Sequence, residues 1–380
     1  MNLVIHDLNE TEWEAFRQDY DGWDAVSDNG TIRPCIGCFS CWHKTPGECV
    51  IKDGYENMGK RIHQADEITV ISRYTYGGFS GFVKNVFDRC LGYVLPQFEV
   101  VNGETHHQKR YAEDKPFTFI FRGGDLSQEE KESAERYVRA VCANIRGSVK
   151  EVIIINDGTA APKRERQTIP EGRTVLLKAS MRSENGNSAV LARELAEGLQ
   201  GEYEFLDLKK YRNSMEDLMN ALEDASAVVL CAPLYVDGLP SQLIRLMELF
   251  EAEYQGRSKR IYVLANMGLY ESSQMVNLFE AVRQWCVKMG FEYCGGLGVS
   301  AGELIGVLMQ ILPFKGWPTS RIAKGMSCLQ EAVNNGNKIE DLYTEPYGFP
   351  RWLYLEIANR NWNNLAKKNG LKPEDLYRKL

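Results

Sequence analysis

The sequence predicts two tandem α/β domains, each a doubly wound parallel sheet, with a helical C-terminal extension. Three observations carry this reading. Strand-like apolar runs alternate with helical patterns as far as about Gly302. A polar stretch with Pro and Gly but no apolar periodicity, DGTAAPKRERQTIPEG, divides the chain. The two halves also align without a gap, ADEITVISRYTYGGFSGFVKNVFD from Ala65 against ASAVVLCAPLYVDGLPSQLIRLME from Ala225. Gly78 falls on Gly238, and apolar positions match through strand, loop and helix. Both sheets are therefore expected to share one strand–loop–helix geometry.

In chain order, the first half supplies the strands LVIHDL, EITVISR, PFTFIFRG and VKEVIIIN. The second supplies TVLLKAS, YEFLDL, AVVLCAP, RIYVLANMG and CGGLGVS. The expected divisions are a first domain over 1–157, a linker over 158–171, a second domain over 172–302 and the extension over 303–380. Beyond Gly302 the strand signal stops, and YGFPRWLYLEIANRNWNNLAKKNG is expected to pack as helix on the domains. NGETHHQKRY, with His106 and His107, reads as a solvated loop.

The 380 residues are 44% apolar and 26% charged, enough for two cores. A net charge of −7 argues against nucleic-acid binding, which needs a basic face. MNLVIHDLNE has neither a basic region nor a long apolar run, so no secretory signal is expected. LIGVLMQILPF is the nearest approach to a membrane span and is too short, so no membrane partner is expected. Four of the ten cysteines crowd between Cys35 and Cys49. That pattern reads as a reduced, cytoplasmic setting with a metal or redox site.

The strand TVLLKAS runs into MRSENGNS and then into a helical pattern. Ser180, Arg182, Asn185, Gly186, Asn187 and Ser188 thus lie between a strand and a helix N-terminus, where hydroxyls, amides and backbone N–H groups form an anion nest. The plainer alternative is a polar turn capped by Ser188. Two later loops follow strands of the same sheet. The first carries Pro233, Leu234, Tyr235, Val236, Asp237 and Gly238; the second carries Asn266, Gly268 and Tyr270. Ligands bind at the carboxyl ends of such strands. A nest beside two ring-clasping loops suits a mononucleotide with a large planar group.

ASMRSENGNS looks like the FMN phosphate loop of the flavodoxin-like FMN reductase superfamily, in which a small residue, Ser, Arg and a terminal Asn-Ser or Asn-Thr recur. APLYVDGLPSQL resembles its isoalloxazine loop. Ala179 stands where that family usually has Gly. The resemblance spans both halves, but the full motif set occurs only in the second. The corresponding first loop, LNETEWEAF, places Glu10 and Glu12 where a phosphate would lie, so the first domain is expected to hold no FMN phosphate. Its ring loop, with Tyr74, Tyr76, Gly77, Gly78 and Phe79, either covers a flavin held elsewhere or simply packs.

In PCIGCFSCWHKTPGEC, two residues separate Cys35 from Cys38 and Cys38 from Cys41, and seven separate Cys41 from Cys49. Three close thiolates and one returning suit a cubane cluster. The segment resembles the compact cysteine motif of iron–sulfur flavoproteins. Zinc, or thiols with no metal, are the competing readings. The resemblance as a whole implies an NAD(P)H-dependent FMN oxidoreductase, with [4Fe–4S] as a possible second cofactor and NAD(P)H as co-substrate. Electrons would pass to a small acceptor such as a quinone or flavin. An electron-transfer protein serving a redox partner is the first alternative, and a non-catalytic binding module the second. The sequence leaves the oligomeric state open.

Overall fold

The computed structural model describes residues 1–158 and 163–380. The chain forms two compact units, Met1–Ala161 with Leu355–Leu380, and Pro162–Tyr354. In the first unit the strands are β1 (Leu3–His6), β2 (Asp24–Val26), β3 (Ile68–Arg73), β4 (Val94–Val101), β5 (Glu104–Lys109), β6 (Pro116–Gly123) and β7 (Ser148–Asn156). In the second they are β8 (Thr174–Lys178), β9 (Tyr203–Asp207), β10 (Ala227–Pro233), β11 (Arg260–Asn266), β12 (Glu292–Val299) and β13 (Leu342–Thr344).

Each unit has one parallel sheet. The orders are β2-β1-β3-β6-β7 and β9-β8-β10-β11-β12-β13. Counted by chain order within each sheet, both begin 2-1-3-4-5, the flavodoxin-like arrangement. Such sheets are covered on both faces, so their strands read as continuous apolar runs. β10, AVVLCAP, is buried at every position. Leu176, Val229 and Leu264 of the second sheet pack against Leu191 and Leu195 of the helix Asn187–Glu197, and against Ile322, Met326 and Leu329 of the helix Ser320–Asn335.

That last helix lies in the segment expected to be an appended extension. Residues up to Tyr354 instead complete the second unit, and the remainder joins the first. β13 is a strand where none was expected: Leu342, Tyr343 and Thr344 pair with Leu297, Gly298 and Val299. Three residues are too few for a periodic signal, and the edge of β12 imposes the conformation. Of the expected linker, residues 159–162 lie outside the described residues. The part that follows is pinned to the second unit: Arg164 N–H donates to Lys288 O at 2.9 Å, and Gln167 N–H to Ser258 Oγ at 2.8 Å.

NGETHHQKRY is not a solvated loop. It contains the whole of β5, which pairs antiparallel with β4. His106 is buried, and the His107 ring packs 4.5 Å from Trp42 and 4.8 Å from Phe98. Imidazoles are read as polar, yet neutral rings bonded to carbonyls serve as core. His107 Nδ1 lies 3.2 Å from Pro96 O, and burial pulls its pKa down to about 4. No helix among the described residues is long and apolar enough to cross a membrane.

Because the folded pKa of His107 lies below its usual 6.5, the unfolded chain binds more protons between pH 6.5 and 4. Its contribution to stability is complete above pH 6.5 and is lost as pH falls through that window, by up to about 3 kcal/mol. Urea denaturation of His107→Phe should show a flatter stability profile from pH 6.5 to 4 than the parent. Parallel profiles would refute the assignment.

Candidate functional site

The second sheet reverses its order at β8 and β10, and the loops after these strands build the site. Lys178, the last residue of β8, is fully buried. Its ammonium donates to both carboxylate oxygens of Asp207 at 2.9 Å and to the carbonyls of Ser180 and Arg182, also at 2.9 Å. Planar trans peptides then aim the N–H groups of Met181 and Ser183 away from the ammonium. Among the described residues, the N–H groups of Met181, Ser183, Glu184, Asn185, Asn187 and Ser188 have no acceptor. The last two open an eleven-residue helix, whose dipole adds positive potential.

The residues expected in the nest divide into two groups. Ser180 is buried, and its Oγ accepts Arg182 N–H at 3.2 Å, leaving its proton to donate. Asn185 is exposed, and Gly186 is the N-cap residue of the helix. Ser188 turns inward, donating to Asn266 Oδ1 at 2.6 Å. Asn187 packs against the helix Gly302–Ile311, where a Cβ on Gly306 would come within 2.2 Å of its Oδ1. Arg182 Nη1 pairs with Glu303 Oε1 at 2.7 Å, both side chains partly exposed.

Asn266 joins the three loops. Its carbonyl accepts Leu234 N–H at 2.8 Å while its side chain holds Ser188. Pro233 ends β10. Tyr235 and Gly238 then close a tight turn with reciprocal N–H···O bonds of 3.0 Å. Val236 (φ 38°) and Asp237 (φ 57°) between them are both left-handed, as in a type I′ turn. A β-branched residue there is strained, and such strain clusters at ligand-binding loops. The first unit builds the same turn from Thr75 to Gly78, with Tyr76 at φ 50° and Gly77 at φ 87°. The alignment of the two halves thus holds at the backbone. In the third loop, Gly268 O accepts the Tyr354 hydroxyl, and the Tyr270 hydroxyl donates to Phe349 O. Ser272 and Glu345 also pair, at 2.8 Å. Residues 345–354 thereby clasp this loop and set the Tyr270 ring.

At the same switch point the first unit is arranged differently. Only Asp7, Leu8 and Asn9 separate β1 from the helix Glu10–Phe16. The Asp7 carboxylate accepts Arg73 N–H at 2.9 Å and the Ser72 hydroxyl at 3.5 Å, and burial pushes its pKa up. Glu12 caps Asn9 and pairs with Arg122 at 3.0 Å. The acidic residue at the strand end is therefore Asp7, rather than Glu10 or Glu12. Of the ring-loop aromatics, Phe79 stacks on Phe87, Phe119 and Phe121 and serves as core.

Cys35, Cys38, Cys41 and Cys49 are partly buried free thiols. Cys41 follows Phe39, whose φ is 56°, and its carbonyl accepts Gly47 N–H at 2.9 Å. Burial, then the other three thiols, push the Cys41 pKa well up. Burial, then Asp88, Cys49 and Cys38, push Cys35 to about 12. Buried Arg89 fixes the surrounding loop through Asp53, at 2.8 Å, and the carbonyls of Arg33 and Ile51. Buried Arg110 donates to the carbonyls of Gly92, Leu376 and Arg378, each at 2.7 Å. It has no carboxylate partner among the described residues. Trp362 packs edge-on to Phe39 and Trp42 at 5.6 and 5.2 Å, so the C-terminal segment covers the loop. Among the described residues, no three His, Cys, Asp or Glu side chains are arranged to hold a metal ion.

No protein-family model matches the chain. A stretch of 58 residues is 38% identical to an iron–sulfur flavoprotein of Methanocaldococcus jannaschii, covering 15% of this chain and 29% of that protein. The match thus spans less than a third of the relative. Among solved structures, the Trp repressor binding protein of Bacillus subtilis is similar at 15% identity over 42% of this chain and 97% of its own, with a TM-score of 0.32. An FMN-dependent NADH-azoreductase of Bacillus anthracis, solved with FMN, is similar at 13% identity over 43% and 99%, with a TM-score of 0.31. The flavodoxin-like assignment rests on the strand orders themselves.

Lys178 and Asp207 were not among the expected site residues, although a lysine closing an apolar strand is visible in TVLLK. Lys178→Met should destabilise the protein by about 3–5 kcal/mol, because it leaves the Asp207 carboxylate buried and unpaired. Adding Asp207→Leu should recover most of that loss in urea denaturation. No recovery would mean that the ion pair is not what holds the loop.

Proposed function

We propose that the second unit binds FMN and that the protein is a flavin-dependent oxidoreductase taking electrons from NAD(P)H. The observation that carries this is the array of acceptor-free N–H groups at a β-strand/helix junction, placed at the switch point where this strand order binds FMN. The phosphate would lie on the N–H groups of Met181, Ser183, Asn187 and Ser188, with the Ser180 hydroxyl donating and Arg182 supplying a full charge. The strained Tyr235–Gly238 turn and the Gly268–Tyr270 loop would flank the ring. Bound FMN supplies hydride and one-electron chemistry. The chain's contribution is to orient the cofactor, hold it through backbone donors and limit water at the ring. The acceptor in this reading is a small molecule.

Cys35, Cys38, Cys41 and Cys49 would hold a [4Fe–4S] cluster, which supplies one-electron storage. The donor set fits. Ionised on a cluster, these thiolates would bring the negative charge that buried Arg110 lacks. This loop also favours a second reading, an electron-transfer protein with a protein partner. Anaerobic mixing with NADPH or NADH separates the two: direct bleaching of the flavin supports the oxidoreductase, and none supports the carrier.

Arg182→Ala should weaken FMN binding about ten- to a hundredfold, the loss of one charge-assisted contact. Glu303→Gln should tighten it a few-fold, because the Arg182–Glu303 pair is partly exposed and cheap to break. Fluorescence titration measures both, and flavin released on denaturation should amount to one per chain. An unchanged affinity in Arg182→Ala would place the phosphate elsewhere.

Iron and sulfide analysis of anaerobically purified protein should give about four of each per chain. Cys38→Ser should remove the iron and leave FMN bound. Flavin without iron in the parent protein would eliminate the cluster alone.

A further inference from the structure

A cavity in the same unit shares Arg182 and Ser183 with the proposed flavin phosphate site and extends beyond them to residues that the flavin reading does not use. It has a volume of about 370 Å³ and lies between the loops that follow β8 and β9. On the far side from the nest it is lined by Lys209, Lys210, Arg212 and Asn213, with Glu184 and Asp207 between them and the shared Arg182 and Ser183. Asp207 is already neutralised from beneath by Lys178. Lys210 lies only at 4.0 Å from Glu184, with both side chains largely exposed. Lys209 and Arg212 have no carboxylate partner among the described residues. In a chain of net charge −7, this is a locally cationic pocket.

We propose that this pocket receives the 2′-phosphate of the adenosine end of NADPH, so that the protein prefers NADPH to NADH. The proposal rests on the reading of the second unit as a flavin site with a nicotinamide donor. Its placement follows from the strand order. The ring-flanking loops follow β10 and β11, the phosphate nest follows β8, and the pocket opens beyond it toward β9. From β10 to β9 is two strand spacings, roughly 10 Å. A dinucleotide with its nicotinamide at the ring loops, running along this edge, brings its adenosine end over β8 and β9. Small-molecule pockets span roughly 300–1,000 Å³, and this one is near the lower bound, room for a phosphorylated ribose rather than a whole dinucleotide.

The chemistry also favours a phosphate over a ribose hydroxyl. Arg212 offers a planar fork of donors to phosphate oxygens, and Lys209 adds a point charge. Both are accessible to water, so the cost of leaving them empty is small. The preference therefore comes from attraction to the dianion and should fade with salt.

The test is calorimetric titration of the FMN-loaded protein at low salt with adenosine 2′-monophosphate, adenosine or inorganic phosphate. The 2′-monophosphate should bind at least tenfold more tightly than either of the others. The double variant Lys209→Gln, Arg212→Gln should lose at least tenfold of that affinity. It should also raise the KM for NADPH but not for NADH, with FMN affinity unchanged. Equal binding of adenosine, equal binding of inorganic phosphate, or an unaffected double variant would each overturn the proposal. If the protein takes up no FMN, the flavin reading fails instead, and the same titration on flavin-free protein still reports on the pocket.

Discussion

A single buried ammonium shapes the candidate site. Lys178 ends β8 fully buried, so its charge must be met by protein groups. Asp207 meets the charge, and the carbonyls of Ser180 and Arg182 fill the remaining donor directions. Turning those carbonyls inward is what turns the N–H groups of Met181 and Ser183 outward. The nest thus follows from peptide planarity once the lysine is in place. The helix at Asn187 then adds its own N–H groups, and Asn266 ties the nest to the neighbouring loops.

The two sheets show how one strand–loop–helix unit can be turned to different ends. Both carry the same left-handed two-residue turn after the third strand of the order, Thr75–Gly78 and Tyr235–Gly238. They differ at the first strand. Where β8 is followed by Ala179–Gly186, β1 is followed by three residues, and the Asp7 carboxylate accepts the nearby N–H group of Arg73. A carboxylic side chain of the protein itself thus occupies that strand end. The short loop leaves the first strand end with no counterpart to the run of N–H groups that follows β8.

Most of the fold was legible in the sequence because continuous apolar runs separated by helical patterns have few parallel-sheet solutions. The loops after β8, β10 and β11 were legible for the same reason, since they fall at strand ends. What was not legible depends on long-range partners. Glu303 meets Arg182 across more than a hundred residues, and no local signal announces it. The three residues of β13 become a strand only because β12 offers an edge. His106 and His107 read as polar, but His106 is buried and the His107 ring is packed against Trp42 and Phe98. The expected extension after Gly302 failed as a division because its helices complete a core whose strands lie far upstream.

The cysteine loop poses an electrostatic problem with two parts. Burial and mutual repulsion hold Cys35 and Cys41 as neutral thiols, since each would meet the others' charge on ionising. Meanwhile Arg110 is buried on carbonyls alone, and dipoles compensate a full charge less well than a carboxylate would. The thiols lack the means to become anionic, and the guanidinium lacks an anion. A metal centre ionises its thiol ligands on binding, and on this quartet it would relieve both parts together. The carbonyls of Leu376 and Arg378 belong to the C-terminal segment that covers the loop. If the quartet took up a metal centre, that segment would therefore meet the new charge through one side chain.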